Sequence, residues 1–187
     1  RNAEGRAVDA TDAAQLSAAE AEGRRQIVDY LRFLRAEVPG FERATMIDIA
    51  TQIGVRETRR VRCLAMLTAE HVLDGTRFPD AIGLNAWPIE LHVDGGIDWA
   101  FPRDPDNACN QLPFGMLVPR RIDNLLVAGR CAGMEHLGQA AARVSGGCFV
   151  MGQAAGTAAA LRVQGAFSVP RLQQALRDDG AELGHAE

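Results

Sequence analysis

Between residues 140 and 163 the chain is apolar almost all round, with Gly146, Gly147, Gly152 and Gly156 interspersed. That pattern predicts one long helix enclosed by protein. Just before it, the continuous apolar run LLVA (125–128) follows the turn formers Asp123 and Asn124 and reads as a strand buried on both faces. Gly129 then lets the chain leave that strand sharply or approach something flat. Near the start, Ile27, Tyr30, Leu31, Leu34 and Val38 recur at helical spacing. They predict a helix with one buried face, opened by a Ser17–Glu20 capping box and stopped by Pro39 and Gly40. Residues 1–16 show no clear period and read as a loop.

Alternation dominates the middle of the chain. MIDIA (46–50) and VRETRRVRCLAM (55–66) predict two strands around a turn at Gly54, the second with Arg56, Thr58, Arg60 and Arg62 on one face. Such a face either grips an anion or is solvated and paired with carboxylates. Thr68 caps a short helix ended by Gly75, in which His71 is structural. WPIELHV (87–93) predicts a strand that Pro88 places at a sheet edge, with His92 near its end. LPFGMLVPR (112–120) reads as a further strand within a proline-rich connection. Ser168 and Pro170 open an amphipathic helix that packs through Leu172, Leu176 and Ala175, and the tail beyond it frays. The mixture of elements gives an α/β class, a mixed α+β piece with regions 1–121, 122–164 and 165–187.

Composition narrows the partners. With 187 residues, 47% hydrophobic and a net charge of −4, the chain supports one core or slightly more, and its interleaved charges argue against nucleic acid. Cys63, Cys109, Cys131 and Cys148 form no CxxC pair, which points to reduced thiols in a cytoplasmic protein rather than a disulfide framework or a zinc site. Arg143, Gln153 and Thr157 interrupt any membrane-length apolar run. The GxxxG of Gly152 and Gly156 therefore predicts close backbone packing in a soluble core, with no membrane partner. No leader is visible, and a start without Met agrees with an interior piece.

Chemistry concentrates at the start of the long helix. Ser145 as N-cap, followed by Gly146 and Gly147, offers unpaired N–H groups and the positive dipole end to an electron-rich planar ligand. The residues alone leave open a second reading, a capped core helix whose glycines only permit packing. Cys131 has no partner in sequence and reads as a buried, inert thiol.

DNLLVAGR (123–130), His136, RVSGG (143–147) and MGQAAGTAAAL (151–161) together resemble the C-terminal signature of the FAD-dependent oxidoreductase family, within the glutathione-reductase-like two-domain flavoproteins. IGVRETRRVR (53–62), LTAEHVLDG (67–75), FPDAIG (78–83) and WPIELH (87–92) resemble the same family in the expected order, so the likeness covers roughly residues 20–165. No GxGxxG follows an N-terminal strand, so the chain is expected to be a C-terminal portion.

The resemblance implies substrate-domain elements plus the closing strand and long helix of an FAD-binding Rossmann-like domain. It implies FAD as cofactor and two-electron or hydride transfer with a small-molecule substrate. The expected partners are the N-terminal half of the same flavoprotein or a second copy covering the exposed core. A non-catalytic piece that keeps the fold for assembly or small-molecule binding is the alternative. Gly129, Arg130, Val144, Ser145, Gly146 and Gly147 are the implied cofactor-binding residues, and His136, His92 and Arg143 the catalytic candidates.

Overall fold

The computed structural model describes residues 8–93 and 96–184. The chain divides into two compact units, Arg1–Thr58 and Arg59–Glu187.

The first unit is built on helix α1, Ala13–Glu37. It starts four residues before the expected Ser17, because the Asp12 carboxylate accepts from the N–H groups of Ala14 (2.9 Å) and Gln15 (3.0 Å) and alanine-rich sequence propagates the turn from there. Ser17 consequently lies inside the helix, and residues 13–16 are helical rather than loop. The helix ends at Val38, before Pro39 and a Gly40 with φ of 92°. Its expected apolar face is only half-buried at Ile27, Leu31, Leu34 and Val38, and Tyr30 is exposed. The returning segment docks on the helix through Ile53, whose N–H donates to Glu20 at 2.7 Å and whose methyl lies 3.2 Å from where a Gly23 Cβ would stand. A cleft of about 550 Å³ lies between them, lined by Glu22, Arg25, Gln26, Ile53, Val55 and Arg56 among others.

The second unit holds helices α2 (Ala69–Leu73), α3 (His136–Ala142), α4 (Ser145–Val163) and α5 (Val169–Asp178). Its strands are β1 (Ala81–Asn85), β2 (Ile89–Val93), β3 (Gly96–Ala100) and β4 (Asn110–Pro113). They form two antiparallel pairs, β1 with β4 and β2 with β3. The mixed α/β class is as the sequence implies. The core is made where α4, through Met151, Ala154 and Ala158, meets β1 and the Leu172–Leu176 face of α5. Helix α5 begins and packs as expected, with Ser168 accepting from Arg171 N–H. Thr68 caps α2 as expected, and His71 is structural: its Nδ1 accepts from Thr68 N–H at 3.2 Å while its ring packs edge-on to Phe78.

Several expectations are overturned. No strand forms at 46–50 or 55–66. Residues 61–65 instead run beside 115–120 through single bonds, Leu64 N–H to Val118 O (2.9 Å) and Arg120 N–H to Arg62 O (3.1 Å), with an isolated bridge from Cys63 to Pro119. Pro119 has no N–H to extend that ladder. The expected arginine face therefore does not form, and Arg60 donates to Met134 O at 3.1 Å. For the same reason LPFGMLVPR is a strand only through Pro113 and then a 3-10 turn, Phe114–Leu117. LLVA is extended but is not a strand: Val127 N–H donates to Leu117 O, and no parallel neighbour stands beside it among the described residues.

The predicted long helix is two helices. Arg143 and Val144 break it, with Val144 extended (φ −67°, ψ 159°), and α4 leaves α3 at 94°. Val144, not Ser145, is the N-cap residue, and its side chain makes no capping bond. Nor is α4 enclosed. Phe149 is 77% exposed and Val163 91%, and nothing lies within 4 Å of a Cβ at Gly152 or Gly156, so that GxxxG packs against nothing among the described residues. No single described helix is long and apolar enough to cross a membrane.

The tail does not fray as expected up to Gly184. Leu183 is buried and its carbonyl accepts from Gln111 Nε2 at 2.7 Å; residues 185–187 lie outside the described residues. Leu183→Ala is expected to cost about 2–3 kcal/mol by leaving a cavity under this strap. Urea unfolding with an unchanged midpoint would contradict that docking.

Candidate functional site

Two clusters in the second unit gather most of the residues singled out from the sequence. The first is the start of α4. Ser145 and Gly146 are exposed, no side chain caps the helix, and the space where a Gly146 Cβ would stand is open to 4 Å. The first-turn amides therefore carry the dipole's positive end without a protein side chain upon it. Gly147 differs from its neighbour: a Cβ there would lie 2.5 Å from the Ala142 carbonyl oxygen, so this glycine serves the tight α3–α4 corner.

Beside this tip lies the turn Gly129–Cys131, where Gly129 has a φ of 74° that favours glycine. A Gly129 Cβ would stand 3.8 Å from Cys148 Sγ in the first turns of α4. Burial pushes the Cys148 thiol up, while the nearby Arg130 guanidinium pulls it down. Cys148 thus marks where the Gly129–Arg130 turn meets the helix start. All six expected cofactor residues, Gly129, Arg130, Val144, Ser145, Gly146 and Gly147, fall in one neighbourhood.

The second cluster centres on Glu90, which sequence reasoning missed. On β2, Glu90 Oε1 lies 2.7 Å from His92 Nε2 and 3.6 Å from Arg143 Nη2, and its Oε2 accepts from Trp87 Nε1 at 3.1 Å. Arg143 also donates to the Glu90 carbonyl at 3.1 Å, which fixes the guanidinium at the C-terminal end of α3. The structure therefore joins two of the three catalytic candidates, His92 and Arg143, through a carboxylate. Glu90 and His92 sit two apart on a strand and so share a face; that period-two spacing was the available signal. Arg143 stands immediately before the α4 tip, so the two clusters are contiguous along the chain.

His136 is placed apart from Arg143. It is the exposed first residue of α3, next to the Glu135 that accepts from Ala69 N–H of α2. Seven helical residues at 1.5 Å each separate it from Arg143 by about 10 Å. Among the described residues no group of three or more His, Cys, Asp or Glu is arranged to hold a metal, and the four cysteines are free; Cys131, expected to be buried, is exposed at the end of the Gly129–Cys131 turn.

Cys63 is buried, and burial pushes its thiol above the ordinary value of 9.0, a Gly133 backbone hydrogen bond opposing in part. The folded state therefore holds the Cys63 proton to higher pH than the unfolded chain does. Its stability contribution is complete at neutral pH and is lost as pH rises through 9.0 and above. The chain contains no lysine, all 20 basic residues being arginine, and burial pushes the Cys148 thiol up in the same way, so Cys63 and Cys148 contribute to the alkaline fall together. Cys63→Ala is expected to flatten part of the alkaline fall of Tm between pH 8 and 10, roughly the thiol range, with Cys148 accounting for a further part. An equal slope in both proteins would exclude this source.

The model of the family described as FAD dependent oxidoreductase matches residues 1–178. The mixed α/β fold class agrees with that match, and the chain belongs to that family, whose cofactor is FAD. No curated protein matches the chain. No solved structure matches it either.

Proposed function

We propose that this chain forms the flavin-ring and substrate side of an FAD-dependent oxidoreductase of the glutathione-reductase-like kind, acting on a small molecule by two-electron transfer. An N-terminal nucleotide-binding half of the same flavoprotein would complete it, in the cytoplasm. The observation that carries the reading is the uncapped start of α4 beside the Gly129–Arg130 turn. Residues there fit the group: Gly146 leaves a surface that a flat ring can approach, and the amides of Val144 through Gly147 point the dipole's positive end at it. Arg130 supplies a bidentate donor for a phosphate oxygen.

Bound there, the flavin supplies the electron-transfer chemistry. The chain's own residues orient and stabilise. Amides at α4 stabilise negative charge at the ring's hydrogen-bonding edge, each charge-assisted bond contributing about 1.5–3 kcal/mol. Glu90 orients His92 through Nε2, which sets the imidazole to exchange a proton with a substrate group. Arg143, anchored on Glu90, holds a polar substrate atom in place.

Equilibrium dialysis of FAD against this chain, and against the same chain joined to an upstream nucleotide-binding segment, tests the proposal. FAD retention by the joined protein, well above that of the isolated chain and reduced by Arg130→Glu, is expected. Joined protein that takes up no FAD, or takes it up equally with Arg130→Glu, would refute the assignment.

A further inference from the structure

Only two tryptophans occur in this chain, and both stand beside the Glu90 cluster. Register pairs Glu90 with Trp99 and His92 with Ile97 across the β2–β3 hairpin, so these four residues share one face with Phe101 two positions beyond Trp99. Trp87 meets Trp99 edge-on at 5.9 Å between ring centroids, and Trp99 lies alongside Phe101 at 6.3 Å with planes only 23° apart. Trp87 is 42% exposed, Trp99 44% and Phe101 66%, a row of aromatic surface that the core does not use.

We infer that this hairpin face is a platform for a saccharide ring, whose hydroxyl rim reaches the Glu90–His92–Arg143 cluster. The inference names the substrate class of the site proposed above and rests on that reading. Charge selects among ligands. Glu90 and Arg143 offset one another at 3.6 Å, so the cluster favours neither a cation, which Arg143 repels, nor an anion, which Glu90 repels. It does offer hydrogen-bonding groups, because His92 commits Nε2 to Glu90 and presents Nδ1 to a ligand hydroxyl. A pyranose matches both features, with a C–H face for the aromatic row and hydroxyls for the polar end. A purely aromatic ligand would leave the polar end unsatisfied, and a lipid surface would bury it at a cost. The Trp87 Nε1 bond to Glu90 holds that indole in place before a ligand arrives.

Because every tryptophan of the chain lies at the platform, intrinsic emission reports it directly. The protein is titrated with cellobiose, maltose, lactose and methyl glucoside, both FAD-loaded and before FAD is added, with emission followed. A saturable blue shift with at least one saccharide in both forms is expected. Phe101→Ala, which removes an exposed side chain and keeps both reporters, should weaken that response by roughly three- to tenfold, the scale of one aromatic contact. His92→Ala should weaken it similarly.

No shift with any saccharide overturns the inference. So does an equal shift with p-cresol, with choline or with phosphatidylcholine vesicles, or one that follows protein concentration and thereby signals a second copy. Protein that binds saccharide but not FAD would sink the flavin reading and leave the platform standing. Protein that takes up FAD and ignores saccharides does the reverse.

Discussion

Gly146→Asp is expected to weaken FAD binding by about 10- to 100-fold, or 1.4–2.8 kcal/mol, without lowering Tm. A Cβ at this position meets nothing within 4 Å, so the substitution has room. An aspartate in the first turn of a helix interacts favourably with the dipole, by about 0.3–1 kcal/mol, and α4 has no side-chain cap to compete with. The same carboxylate would stand where the electron-rich edge of the ring is proposed to lie. Stability and cofactor affinity should therefore move in opposite directions. The adjacent glycine provides the contrast: Gly147→Ala drives a methyl to 2.5 Å from the Ala142 carbonyl, and a loss of about 1–3 kcal/mol in stability is expected. Thermal melts of the two variants, read beside visible flavin absorbance, check both. Loss of Tm in Gly146→Asp equal to that in Gly147→Ala would mean that the α4 tip is structural.

Glu90→Ala has the second large expected effect. Its side chain holds Arg143 and His92 and accepts the Trp87 N–H, and the Glu90 and Arg143 side chains are only 15% and 11% exposed. Removing one member of such a pair strands its partner's charge, and a loss of about 2–3 kcal/mol follows. Glu90→Gln keeps an acceptor for Trp87 but not the charge, so it should recover part of the stability while His92 loses its anionic neighbour. Chemical denaturation with tryptophan emission distinguishes the two variants. If Glu90→Ala unfolds at the same urea concentration as the parent, the cluster is an exposed surface pair of little consequence.

The elements legible in the sequence were those decided by local chemistry. Thr68 and Ser168 cap where they should, because an N-cap needs only its own next three residues. The strands failed where pairing decides. VRETRRVR has the alternation of a strand, yet the segment beside its C-terminal end carries Pro119, and a sequence period cannot report whether a partner has N–H groups to offer.

The long apolar helix misled for a related reason. Composition does not reveal the corner at Val144, which depends on Gly147 lying against the Ala142 carbonyl and on Arg143 being drawn to Glu90. At the site, the glycine turn and helix tip were visible as types and order of residues. Glu90 was not, because a Glu in a strand is ordinary until Arg143 arrives from a helix 53 positions away. The hairpin escaped notice although Val93-Asp94-Gly95 is a turn signal between alternating runs.

The most direct measurement follows backbone amides by two-dimensional NMR as FAD is added to the complete flavoprotein. Resonances of Ser145 and Gly146 are expected to shift, whereas those of Gly152 and Gly156, just as open but farther along α4, stay in place. Shifts at Gly152 and Gly156 with Ser145 and Gly146 unmoved would contradict the account, and the helix start would not face the flavin.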